Sequence, residues 1–335
     1  WGGDRLITKR VVELAMHIRD TAFMGLLDVI KNLGSIRKNL DYCKSDILNY
    51  NPDAIVLVDY PGFNLKIAKF ANLHGIKVFY YITPKVWAWN KNRIYKLKKY
   101  VDEIIVIFPF EVEFYKKHGI SVTYVGNPLI DEISKGEFKF SYNTDKPIIA
   151  LLPGSRKQEI ECILPEMLKI VKHFPKYQFI IAATSTFTKE YYHSFIDCSA
   201  ELCFDETYGL LSNSEAALVT SGTATLETAL FNVPQVVCYK TNWITYFLAK
   251  TLIKVKFLSL VNIILNKLVV RELIQSDLNK SNLYIALESI LSKSGREDII
   301  SYYHDLKICL GNNGASKRAA DLILFRTKNN KGNTI

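Results

Sequence analysis

Twice along this chain, strand-length apolar runs alternate with helical ones, and a polar stretch divides the two series. Before the divider come AIVLVDY (54–60), KVFYYIT (77–83), EIIVIFP (103–109) and VTYVGNP (122–128). After it come PIIALLP (147–153), YQFIIAAT (177–184), and shorter runs at 202–204, 217–219 and 235–239. Near-continuous apolar strands separated by helices are what a parallel sheet covered on both faces requires. The divider, SKGEFKFSYNTDK (134–146), is polar and carries Gly136. The pattern predicts an α/β chain of two doubly wound, Rossmann-like domains facing a cleft. Their expected bounds are 1–135 and 147–325, with a linker at 136–146 and a polar basic tail at 326–335.

Helical periodicity fills the gaps. Residues 5–50 read as helices, with Phe23, Met24, Leu26, Leu27 and Ile30 on one face. Further helices are expected over 65–74, closed by Gly75, and over 91–100, 111–117, 160–173 and 281–325. The run TYFLAKTLIKVKFLSLVNIILNKLVV (245–270) is broken by Lys250, Lys254, Lys256, Asn262 and Lys267. It is too interrupted to span a bilayer and reads as an amphipathic helix followed by a buried strand, with attraction to an anionic membrane surface in addition.

Charge narrows the partners. Of 335 residues, 43 are Lys or Arg and 33 Asp or Glu, a net charge of +10 that favours an acidic partner. No RNA-binding signature interleaves the lysines, so nucleic acid is not expected. The six cysteines, Cys43, Cys162, Cys198, Cys203, Cys238 and Cys309, form no CxxC pair and have no His-linked spacing. A reduced, cytoplasmic compartment follows. No metal site and no cofactor are expected.

Two turns carry the anion chemistry. In AALVTSGTATLETAL (216–230) a strand gives way to Ser221, Gly222 and Thr223 and then to a helix. Glycine lets backbone approach a ligand, and a helix N-terminus offers free N–H groups and a positive dipole end. Glu227, one turn into that helix, is within reach of sugar hydroxyls. LLPGSRKQEI (151–160) repeats the strand–turn–helix context with Gly154, Ser155 and Arg156, whose guanidinium can grip phosphate. Each turn alone could be a plain helix cap. Together they read as one cradle for a nucleoside diphosphate. In the first series, Asp59, Pro61, Gly62 and Asn64 follow a strand, and Trp87 and Trp89 end another beside Lys85. Asp59 can be read as a carboxylate for chemistry or as a turn cap. The tryptophans can be core, sugar-stacking or acyl-contacting residues.

These motifs in this order resemble the bacterial lipid-A-disaccharide synthases, glycosyltransferases of the GT-B fold. The carriers are VDYPGFN (58–64), ITPKVWAWN (82–90), FPFEVEFYKKHG (108–119), YVGNPLID (124–131), LLPGSRKQEI, SGTATLETAL (221–230), SLVNII (259–264) and RELIQ (271–275). The resemblance implies transfer from UDP-2,3-diacylglucosamine to 2,3-diacylglucosamine 1-phosphate, giving the β-1,6 lipid A disaccharide and UDP. It implies an inverting, metal-independent enzyme working peripherally at the cytoplasmic face of the inner membrane, and it admits a homodimer. It assigns Arg156, Ser221, Gly222, Thr223, Glu227 and Asn262 to the nucleotide, beside Gly154 and Ser155 of the first turn. Asn64, Trp87 and Trp89 fall to the acceptor side.

Three departures stand out. The family's N-terminal strand and SGE-x-SGD loop do not precede the first series, so a missing N-terminal segment is expected. The family's DAPDFN reads Asp59-Tyr60-Pro61-Gly62-Phe63-Asn64, which leaves glycine at the second aspartate, and VGHP reads Val125-Gly126-Asn127-Pro128. Asp59 is therefore the catalytic base assigned among the residues present, with a carboxylate of the missing segment as the alternative. Other UDP-sugar GT-B enzymes, namely a peptidoglycan N-acetylglucosaminyltransferase or an epimerase, share the cradle but not the TPKVWAW and FPFEVEFY context. A fragment that binds UDP-sugar or membrane without turnover is the non-enzymatic alternative.

Overall fold

The computed structural model describes residues 1–3, 13–18, 32–88, 92–197, 200–243, 246–247 and 256–328. Helices and strands are numbered along these residues. Helix α1 (Leu33–Tyr50) leads into β1 (Ala54–Val58), α2 (Pro61–Leu73), β2 (Lys77–Tyr81), α3 (Arg93–Tyr100), β3 (Glu103–Val106), α4 (Pro109–Lys116), β4 (Thr123–Tyr124) and α5 (Pro128–Ile133). The strands form one parallel sheet in the order β1-β2-β3-β4. Phe23, Met24, Leu26, Leu27 and Ile30 lie outside the described residues, as do Trp89 and most of 245–256.

The helix expected from residue 65 starts earlier, at Pro61. Proline pre-sets helical φ and gives up no needed N–H at the first helical position. Asn64 therefore sits in the first turn of α2 and not in a loop.

The second series gives β5 (Ile148–Leu152), α6 (Lys157–Leu168), β6 (Gln178–Ala183), α7 (Lys189–His193), β7 (Ala200–Phe204), α8 (Thr207–Ser212), β8 (Ser214–Thr220), α9 (Thr223–Leu230) and β9 (Gln235–Tyr239). Then follow α10 (Leu260–Leu265), β10 (Glu272–Ile274), α11 (Lys280–Leu291), α12 (Lys293–Leu310) and α13 (Ala315–Lys328). The six parallel strands run β10-β9-β8-β5-β6-β7. Ile149, Ala150 and Leu151 of β5 are fully buried, as are Ala217, Leu218 and Val219 of β8, because helices cover both faces. Strand order reverses between β5 and β8. In open α/β sheets a crevice opens beyond the strand ends at such a reversal.

Two connections bind the halves together. The polar stretch after α5 is strapped to the second sheet. Ser141 donates its N–H and hydroxyl to Glu206 at 2.8 and 2.7 Å, and Phe138 packs on Tyr208 and Phe231.

At the other end, α13 corrects the sequence reading in two ways. It packs on the first sheet, not the second, with Ala319, Leu322 and Ile323 against Phe79, Ile105 and Val125. It also continues to Lys328, so residues 326–328 are helix and not tail. The apolar face carries the helix onward, and the Lys77 ammonium donates to the Arg326 carbonyl at 2.9 Å. Asp131 of α5 caps this helix by accepting the N–H groups of Gly314, Ala315 and Ser316 at 2.5, 3.1 and 2.8 Å.

Candidate active site

The turn after β5 and the turn after β8 leave neighbouring strands at the reversal point. Ile149 through Leu152 pair with Ala216 through Val219, so the turns begin side by side. Gly154 (φ 113°) and Gly222 (φ 146°) each take a backbone conformation that side chains disfavour. An added Cβ at Gly222 would meet nothing within 4 Å, so its backbone faces open space. Helix α9 is held from behind. The Thr225 hydroxyl donates to the Gly222 carbonyl at 2.8 Å and accepts the Leu260 N–H at 3.2 Å. The Gln235 amide donates to the Thr225 carbonyl at 2.8 Å.

The hollow so formed has a volume of about 780 Å³. Gly154, Ser155, Arg156, Ser221, Gly222, Thr223 and Glu227 all line it. Asp59, Lys85, Trp87 and Ala88 line it from the first sheet, so it is an interdomain cleft. Two helix N-termini and a guanidinium thus share one space, an arrangement suited to a diphosphate. The Glu159 carboxylate accepts the Ser155 N–H at 3.2 Å and the Arg156 guanidinium at 3.0 Å. That turn therefore already seats an anionic group. The Tyr208 hydroxyl donates to Glu227 at 2.8 Å.

On the opposite wall the chain is bent hard. Asp59 and Tyr60 have φ of 46° and 42°, conformations costly for residues other than glycine and common at functional sites. The Asp59 carbonyl is held by the Tyr80 hydroxyl at 2.6 Å and the Asn64 amide at 2.8 Å. Asn64 is absent from the cleft lining, and its amide fastens the strand end behind Asp59.

Trp87 does line the cleft, with its indole N–H donated to Glu111 at 3.2 Å. Glu111 is 2% exposed and also accepts from the Thr83 hydroxyl at 3.3 Å and the Phe108 N–H at 3.1 Å. Burial pushes its pKa up to about 7, against the pull of those donors. Burial also lowers the Lys85 ammonium from its usual range. Asp59 and Glu111 act the other way, and Arg156 adds to the lowering.

Asn262 lies behind the cleft and outside its lining. It is fully buried, donates to the Val270 carbonyl at 2.8 Å and Glu272 at 2.9 Å, and accepts the Val269 and Val270 N–H groups at 2.8 and 3.0 Å. Glu272 in turn accepts the N–H groups of Leu258 and Ser259, and the Ser221 hydroxyl donates to the Leu258 carbonyl at 3.1 Å. Asn262 is thus two contacts removed from the cleft wall.

Thr184, Asp205, Thr207, Tyr239, Phe257 and Leu258 also line the cleft and escaped the sequence reading. The first four follow or end strands β6, β7 and β9, so the rule that ligands gather at carboxyl ends could have found them.

Residues 2–324 match the family model described as lipid-A-disaccharide synthetase. The chain belongs to the lipid-A-disaccharide synthetase family. The lipid-A-disaccharide synthase of Coxiella burnetii (strain CbuG_Q212) is 35% identical over 333 residues, spanning 96% of this chain and 88% of that protein. Likeness in fold reaches further than likeness in sequence. The UDP-GlcNAc 2-epimerase of Neisseria meningitidis, solved bound to UDP-GlcNAc, superposes with a TM-score of 0.64 at 14% identity, over 96% of this chain and 88% of that one. The glycotransferase of kitacinnamycin gives a TM-score of 0.62 at 13% identity, over the same shares. The fold of this family member is GT-B.

Proposed function

We propose that the chain transfers a diacylglucosaminyl group from UDP-2,3-diacylglucosamine to the 6-hydroxyl of 2,3-diacylglucosamine 1-phosphate. The products are the β-1,6 lipid A disaccharide and UDP. Family membership supports a glycosyltransferase of lipid A disaccharide synthesis. The observation that carries the reading is the convergence of the Gly154–Arg156 turn and the Thr223 helix start on one cleft, faced by Asp59 and Trp87.

In this reading UDP lies on the two turns, with Glu227 towards the ribose. Asp59 takes the proton of the acceptor hydroxyl as its oxygen attacks the anomeric carbon. The bond from that carbon to the phosphate oxygen breaks, and the electron pair leaves with UDP. Attack opposite the leaving group inverts the anomeric centre. Arg156 and the two dipoles stabilise the charge gathering on the diphosphate, a role a metal fills in other sites. Asn262 acts through Glu272 and Leu258 as a positioning residue. Trp87 contributes an apolar wall on the acceptor side.

We also read the enzyme as peripheral to the cytoplasmic face of the inner membrane. Among the described residues no helix is long and apolar enough to cross a membrane. Trp243 and Phe247 are each 69% exposed beside the apolar-basic stretch, which suits a lipid surface.

Incubation with both acylated substrates tests the reading. Disaccharide and UDP are expected, at a rate unaltered by EDTA. Tight UDP binding without product would leave only a binding fragment, and absence of UDP binding would overturn the site itself.

A further inference from the structure

The established family activity does not account for Lys85. It stands in the TPKVWAW segment, after β2, on the wall opposite the nucleotide turns. Among the described lining residues the cations are Lys85 and Arg156, one from each domain. Arg156 is partly answered by Glu159, while no hydrogen bond or ion pair engages the Lys85 ammonium among the described residues. Its nearest influences are Asp59, Glu111 and Arg156. Lys85 shares the hollow with a second cation, Arg156, whose charge works against its own, while the carboxylates of Asp59 and Glu111 oppose that effect more strongly. A doubly charged oxyanion between them removes the repulsion and supplies acceptors for both groups.

We propose that Lys85 binds a phosphate group in the cleft, clasping it from the first domain against Arg156 of the second. This rests on the transferase reading, which offers two sources of that phosphate: the donor diphosphate and the 1-phosphate of the acceptor. Lysine suits either, because its ammonium acts as a point charge without the fixed fork of arginine. The clasp also gives the first domain a direct share in phosphate binding.

No hydrogen bond or ion pair holds the Lys85 side chain among the described residues, so its replacement by Met should leave folding intact, and Lys85→Arg keeps the charge. If the donor diphosphate is the partner, Lys85→Met weakens UDP binding in calorimetry by roughly ten- to a hundredfold, the loss expected of a charge-assisted hydrogen bond. If the acceptor phosphate is the partner, UDP affinity stays and the KM for the phosphorylated acceptor rises by a similar factor. That handicap then disappears with an acceptor lacking the 1-phosphate. Lys85→Arg should recover most of either loss. Unchanged UDP affinity together with unchanged acceptor KM would overturn the proposal. A wild-type chain that binds UDP but forms no disaccharide would sink the transferase reading, and the calorimetric comparison would still decide whether Lys85 grips the donor phosphate.

Discussion

Leu152 and Val219 are register partners at the carboxyl ends of β5 and β8. The chain runs through β6 and β7 between them, yet the turns that follow the two strands open into the same cleft. This pairing makes one site out of two unrelated strand–turn–helix segments.

Arg156 stands in the turn after β5, and its side chain is mostly exposed. Arg156→Ala should weaken UDP binding by roughly 1.5–3 kcal/mol, as loss of a charge-assisted hydrogen bond does. Calorimetry reads this directly. Undiminished affinity would remove Arg156 from the diphosphate seat.

Gly222 has room for a side chain but not the backbone freedom for one, since its φ is 146°. Gly222→Ala should cost on the order of 1–3 kcal/mol in stability or force the turn out of shape. Urea unfolding and UDP titration together check it. A variant as stable as wild type that binds UDP equally well would mean that neither the conformation nor the turn matters.

Asp59→Asn should cut turnover by at least about a hundredfold if its carboxylate takes the acceptor proton, leaving UDP affinity as it was. The isosteric amide keeps the Asp59 carbonyl available to Tyr80 and Asn64. An unaltered rate would leave Asp59 as a structural bend.

Glu111 predicts a pH dependence of stability. Its folded pKa, about 7, lies above the usual carboxylate value of 4.5. The folded state therefore holds a proton that the unfolded chain has released. The contribution is fully present below the ordinary carboxylate range and is lost as pH rises through about 7, with a slope of about 1 kcal/mol per unit at most. Glu111→Gln removes the ionisation, so its denaturation midpoint should vary less between pH 5 and 8 than that of wild type. Parallel profiles would show that Glu111 stays charged throughout.

Asn262→Ala leaves the Val269 and Val270 N–H groups and the Glu272 carboxylate short of partners. Each orphaned buried group costs about 1–3 kcal/mol, so the variant should be clearly less stable. Calorimetric melting measures this. UDP binding should weaken as a consequence, because the Leu258–Ser259 wall loses its support. Intact stability with lost UDP affinity would instead put Asn262 in direct contact with ligand.

The α/β class and both strand–turn–helix segments were legible because they depend on local chemistry. Glycine, hydroxyls and arginine after an apolar strand make an anion turn wherever they occur. The extent of α2 was misread because a proline that ends one helix can begin another. The partner of the last helix, expected in the second series, could not be read because an amphipathic face does not say which apolar surface it will cover.

In sequence Glu111 is only the first residue of the helix expected over 111–117. Only the fold surrounds it with Thr83 and Trp87 and withdraws it from water, and desolvation depends on everything packed nearby. Asn262 shows the same limit. Its place in SLVNII is fixed by sequence, but the peptide groups that its amide satisfies come from residues 269 and 270 across a turn.

By itself, the sequence determined which segments could become strands, helices and anion turns, because these are decided by neighbouring residues. The tertiary structure decided that β8 pairs with β5, that α13 returns to the first sheet, and that Lys85 and Arg156 line one cleft. Those outcomes depend on burying apolar faces from distant parts of the chain against one another, and no local pattern encodes that choice.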